Sequence, residues 1–214
     1  MLNQQLLAGA MVVSVATFGQ ASAADSPVFS FGALVTNDLI RSGESLTGGR
    51  PGLAVGAEVG TAGFFAGLEV LTLRDGSDGW QLELALGHRW DLDPFELEFG
   101  VARAWTNGSD AGDTEVIAGM AFALGENTAL GLEAVYAPRP RTWADLSLTA
   151  SHALTDRFGL SATLGRVPVD RLNYGNIGLT YAVTEQAAFD LRYHHSHEIG
   201  SRVAASVVFA LGGH

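Results

Sequence analysis

The chain has no cysteine and no lysine among its 214 residues. Without cysteine there is no disulfide scaffold, no thiolate metal site and no thiol catalysis. All 12 basic residues are arginine and they face 23 acids, for a formal net charge of −11. That balance argues against nucleic acid as a partner, because phosphate binding needs a basic surface. Charged residues make up only 16%, which is too few for an intrinsically disordered chain. No P-loop, GxSxG, dinucleotide fingerprint or zinc-binding helix occurs, and no cofactor is expected. What is present is an unusual combination: 27 glycines, 47% hydrophobic residues and a strong acidic excess.

Residues 1–23 carry no charged side chain, and Leu6 to Phe18 are almost wholly apolar or small. Ala21-Ser22-Ala23 is a small-x-small cleavage site. The pattern predicts a secretory signal peptide cut after Ala23, although only the free amine supplies positive charge ahead of the apolar core. The alternative is a buried N-terminal helix. The remainder, 24–214, is expected to be one domain that keeps the whole negative charge. No later run reaches the roughly 18 apolar residues that a spanning helix needs.

Beyond the signal the chain alternates with period two. Phe95, Leu97, Phe99 and Val101 oppose Glu96, Glu98, Gly100 and Ala102; Trp80, Leu82, Leu84 and Leu86 oppose Gln81, Glu83, Ala85 and Gly87. This is strand periodicity, apolar on one side and polar or tiny on the other. It recurs over 28–36, 52–60, 64–73, 80–90, 95–105, 114–124, 129–137, 143–153, 158–166, 174–183, 188–196 and 202–211. Short connections such as Thr61–Gly63 and Asp91–Pro94 alternate with longer ones such as Asn37–Pro51 and Thr106–Asp113. About twelve tilted strands of some ten residues, with short turns on one side and long loops on the other, describe an all-β, antiparallel outer-membrane β-barrel. An even strand count puts both termini on the periplasmic side.

The aromatics sort by strand end. Most phenylalanines, with Trp90, fall near periplasmic ends; Trp80, Trp105, Trp143, Tyr136, Tyr174 and Tyr193 fall near loop-side ends. Two such bands are expected to be interfacial girdles. The competing fold is a soluble periplasmic barrel or sandwich. If the apolar face meets lipid, the other lines the lumen. That inner face collects Glu58, Glu69, Glu83, Glu96, Glu98, Glu115, Glu133, Asp145 and Asp190, with Arg89, Arg192 and His194 as the basic side chains. Twelve strands leave more room than the eight that side chains can fill. A wet, cation-preferring lumen is expected, acting like the acidic rings of cation channels. The bland alternative is a set of carboxylates absorbed in structural networks with arginine and serine. The expected function is a porin-like channel for small solutes in the outer membrane of a Gram-negative bacterium. Its partners would be outer-membrane lipid, the barrel-assembly machinery and small cations or solutes.

Chemistry is otherwise sparse. His194 and Ser196 share the inner face two residues apart, an arrangement that a barrel lipid hydrolase could use, with His activating Ser. No acid follows on the last strand to complete a triad. His195 with His197, or His194 with Glu198, could ligate a metal, and a solvated rim is the plain alternative. A structural barrel with a plugged lumen is the third possibility.

The segments Phe29–Gly49 (FSFGALVTNDLIRSGESLTGG), Pro51–Leu71 and Ser201–Val207 resemble the proteobacterial family of exported, barrel-type conserved hypothetical proteins labelled Gcw_chp. The resemblance implies an outer-membrane location and no established activity. Ser42 stands where that family commonly has glycine after the arginine, and the chain continues past Phe209 instead of ending on an aromatic residue.

Overall fold

A computed structural model describes residues 27–74, 79–107 and 113–212; the expected signal peptide, 1–23, lies outside them. Twelve strands form one closed antiparallel barrel. They are β1 (Val28–Thr36), β4 (Gly52–Thr61), β5 (Phe64–Leu73), β6 (Gly79–Asp91), β7 (Phe95–Thr106), β8 (Asp113–Ala123), β9 (Thr128–Ala137), β10 (Thr142–Ala153), β11 (Phe158–Val167), β12 (Leu172–Ala182), β13 (Ala187–Ser196) and β14 (Gly200–Gly212). β14 closes the ring on β1, with Thr36 opposite Ser206 and Ser30 opposite Gly212. Closure pairs every strand on both sides, so no edge is left open.

Two further strands, β2 (Ile40–Arg41) and β3 (Glu44–Ser45), pair only with each other. They lie inside the connection from β1 to β4, which the sequence marked only as a long loop.

The alternation has its expected consequence. Phe31, Val55, Leu86, Leu132, Leu164, Ile177, Leu191 and Val203 stand exposed on the outer face, with Leu86 at 65% and Leu164 at 68%. A soluble protein does not leave a continuous apolar belt uncovered; this is the outer wall of a barrel that lipid surrounds. The two ends differ less than expected. Connections 138–141, 168–171 and 197–199 are no longer than the turns 124–127, 154–157 and 183–186 at the opposite end. The strands run further than the alternating pattern did, and Arg141 and Arg171 take left-handed φ angles of 70° and 55° that close tight turns.

The interior has no single apolar core. Phe65, Ala85 and Ala102 form one cluster with Ile117, and Leu39, Ala54 and Leu71 form another with Leu34, Leu46 and Leu73. Phe65 therefore points inward, not into the periplasmic girdle with the other phenylalanines. Its ring sits over Gly87, where a β-carbon would come within 2.5 Å of Phe65 Cζ and 2.6 Å of the Phe99 carbonyl oxygen. Gly87→Ala should cost about 1–3 kcal/mol of overpacking, seen as a lower midpoint in urea unfolding from lipid vesicles. An unshifted midpoint would mean that Phe65 can move aside freely.

Candidate functional site

The connection 37–51 turns into the barrel. Its hairpin β2–β3 closes on Ser42-Gly43, both with positive φ, 48° and 81°. Two successive left-handed residues suit the tight turn of a two-residue hairpin, and glycine makes the second inexpensive. Gly43 is also where the tip meets the far wall: a β-carbon there would lie 2.5 Å from Tyr174 Cβ.

Contacts on opposite sides of the ring hold the hairpin. On the near side the Arg41 guanidinium pairs closely with Glu69 of β5, and its Nη1 lies 3.5 Å from Glu83 Oε2 of β6. On the far side Ser42 Oγ donates to the Asp145 carboxylate of β10, which also accepts the Tyr174 hydroxyl of β12 at 2.8 Å. Ser196 Oγ of β13 donates to the Gly43 carbonyl at 2.7 Å. At the root, Asp38 accepts Arg202 Nη1 of β14 at 2.9 Å, Thr47 Oγ1 at 3.1 Å and the Ser45 hydroxyl. In the order of strands around the barrel, β5 and β6 lie almost opposite β11 and β12. The hairpin is thus a fixed crossbar through the lumen.

The remaining inner-wall arginines are also clamped. Arg89 donates Nη1 and Nη2 to the two oxygens of Glu58 at 2.7 and 2.9 Å, and Nε to Glu98 at 2.7 Å. Its guanidinium carbon sits 4.1 Å from the centre of the Phe65 ring. Arg192 donates to Asp190, to Asn176 Oδ1 at 2.7 Å and to Ser161 Oγ at 3.0 Å, while Thr180 donates to Asp190 at 2.9 Å.

Burial shows where open space is left. The inner-facing residues of β4, β5, β11 and β13 are mostly buried, whereas those of β8 and β10 and most of those of β9 stay solvent-accessible, as does Glu96 of β7; Glu98 is largely covered by Arg89. The passage therefore runs between the hairpin and the β7–β10 wall. The charged inner residues of that wall are Glu96, Glu98, Glu115, Glu133 and Asp145, with Asp113 at the rim, and no arginine. Arg41, at the edge of the crossbar, is within charge–charge range of Glu115 and Glu133. Glu58, Glu69, Glu83 and Asp190 are placed elsewhere on the inner wall, buried and close to arginine.

The aromatic residues split. Trp80, Trp90, Trp143 and Tyr193 are exposed outside. Trp105 and Tyr136 are half-buried on the outer face, Tyr136 against Trp143 at 5.4 Å and Trp105 beneath Arg103 at 5.3 Å. Tyr174 is a correction. It was expected at the membrane interface, but it shares the inner face with Asn176 and Thr180 and its hydroxyl is bound to Asp145. Its position near a strand end suggested a girdle; its even register decides otherwise.

The His194–Ser196 pair does not form a nucleophile–base contact. Ser196 is 1% exposed, gives its proton to the Gly43 carbonyl and accepts the Ile199 amide at 3.2 Å. That bond anchors the hairpin and leaves no proton directed at His194. His195 Nδ1 is bonded with Ser201 Oγ at 3.1 Å. Among the described residues no three acids or histidines gather closely enough to hold a metal ion.

Sequence reasoning missed Asp38, Arg41, Ser42 and Arg202. A signal existed: a 15-residue connection, 37–51, is long for a compact barrel, and such loops are commonly functional. This one contains a Ser-Gly turn pair between short polar-apolar segments.

No family model matches the chain, and no curated protein does. Solved structures do match. The chain is similar to the KdgM porin, with a TM-score of 0.65 at 9% identity over 87% of this chain and 99% of that one. It is similar to the KdgM porin in complex with disordered oligogalacturonate, with a TM-score of 0.66 at 10% identity and the same coverage. Identity this low carries the fold alone: a closed, twelve-stranded antiparallel barrel of the outer-membrane type.

Proposed function

We infer that the protein is a porin-like channel of a Gram-negative outer membrane, exported by its N-terminal signal, and that it passes small solutes with a preference for cations. The observation that carries this is the charge of the accessible wall. Every arginine on the inner face is held by carboxylates, while Glu96, Glu115 and Glu133 on the open side have no hydrogen bond or ion pair with protein among the described residues. Carboxylates facing water across a narrow gap attract mobile cations and repel anions. Partners in this view are lipid around the outer wall, the assembly machinery during insertion, and small cations or solutes within. A passive channel needs no catalytic group, and the bonded state of Ser196 favours it over a hydrolase.

Planar-bilayer recording of the reconstituted chain tests this. In a potassium chloride gradient the zero-current potential should take the sign of cation selectivity. Anion selectivity would overturn the charge argument, and absence of any conductance would favour a plugged structural barrel.

A further inference from the structure

The accessible wall carries more than acid. The inner face of β10 is Asp145, Ser147, Thr149 and Ser151 in succession, all solvent-accessible. Register sets these hydroxyls beside the carboxylates. One rung across the wall reads Glu98, Gly119, Glu133, Ser147, and the next reads Glu96, Ala121, Gly131, Thr149. Each step is one strand spacing, about 5 Å. The Ser147 and Ser151 hydroxyls make no hydrogen bond with protein among the described residues, and neither do Glu115 and Glu133. Between them Gly119 and Gly131 leave a flat floor; a β-carbon at Gly131 would meet nothing closer than 4.0 Å. Away from this wall, on β5, Glu69 is fully buried, and its Oε1 has no partner even with Arg41 seated on the other oxygen. The crossbar's arginine thus leaves the local acid under-satisfied.

We propose that the preferred solutes are polyhydroxylated amines, amino sugars by chemical class. This rests on the channel function inferred above. A carboxylate gives an ammonium group a charge-assisted hydrogen bond, and a serine hydroxyl both donates to and accepts from a sugar hydroxyl. Neighbouring ammonium and hydroxyl groups on one small ring can fan out to Glu133 and Ser147 on adjacent strands. Such a solute replaces the water on both groups without leaving either unpaired. A cation without hydroxyls strips water from the serines and returns nothing, and a neutral sugar does the same to the carboxylates. An acidic sugar of the oligogalacturonate kind meets like charge along this wall.

The test is efflux from vesicles containing the full chain, with three probes: glucosamine in neutral buffer, where most of its amine is protonated, glucose as its uncharged counterpart, and tetraethylammonium as a cation without hydroxyls. Glucosamine should leave severalfold faster than either. In a chain carrying Ser147→Ala and Ser151→Ala, the ratio of glucosamine to tetraethylammonium efflux should fall towards one. Glucose matching glucosamine would overturn the role of the acids, and tetraethylammonium matching it would overturn the role of the hydroxyls. Either result could stand beside a normal potassium chloride conductance. Loss of that conductance in the unaltered chain would instead remove the channel function itself.

Discussion

A chain in which residues 39–49 are replaced by a short Gly-Ser link should conduct severalfold more current per channel than the unaltered protein. The replacement is geometrically simple, because β1 and β4 are antiparallel neighbours and Thr36 stands opposite Gly52. A short turn can join them without disturbing either strand. The barrel's own pairing does not depend on the loop, since β2 and β3 pair only with each other. What disappears is the crossbar: Arg41 between Glu69 and Glu83, Ser42 on Asp145, and the Gly43 carbonyl on Ser196. Removing Arg41 also strips the lumen of a positive charge within range of Glu115 and Glu133, so the zero-current potential should move further in the cation direction. Both readouts come from one recording. Unchanged conductance in a correctly folded variant would show that the constriction lies elsewhere. Raised conductance with unchanged selectivity would show that Arg41 contributes bulk and not charge.

This prediction depends on the part of the molecule that sequence periodicity reached least well. Alternation is a local property, so each strand and its lipid-facing residues could be read from its own few residues; Leu84, Leu86, Leu132 and Leu164 needed nothing else. Position on the inner face was legible for the same reason, and Glu98, Glu133 and Arg192 are on the wall where period two puts them. What each inner side chain touches is a property of register between strands and of chain distant in sequence. Asp145 meets Ser42 across 103 residues and Asp38 meets Arg202 across 164, and no short window contains both members. Tyr174 shows the cost of relying on a trend over a parity. Its location near a strand end resembled that of Trp143 and Tyr193, yet a bulky polar side chain at an even position of β12 had to point inward, where Gly165 leaves space for it. A β-carbon at Gly165 would lie 2.1 Å from the Tyr174 ring.

Arg89→Met should destabilise the barrel by about 3–5 kcal/mol, because it strands buried carboxylates that the arginine now neutralises. Side chains of Arg89 and Glu58 are each 4% exposed, and that of Glu98 is 10% exposed. A single planar guanidinium serves both acids, two bonds to Glu58 and one to Glu98. The same plane lies over the Phe65 ring at 4.1 Å, so the charge is held from below as well as at its edges. Methionine keeps much of the side-chain volume and removes only the charge and the donors, which makes the loss an electrostatic one. Arg89→Lys should fall between the two, since an ammonium group neutralises but cannot reproduce three donors in one plane. A chain with Arg89→Met, Glu58→Leu and Glu98→Leu together should recover most of the loss, because no unpaired charge is then left inside. Urea unfolding from lipid vesicles separates these cases. If Arg89→Met alone unfolds at the native midpoint, water must reach the Glu58 and Glu98 carboxylates from the open side, and the inner face of β6 and β4 belongs to the passage and not to its frame.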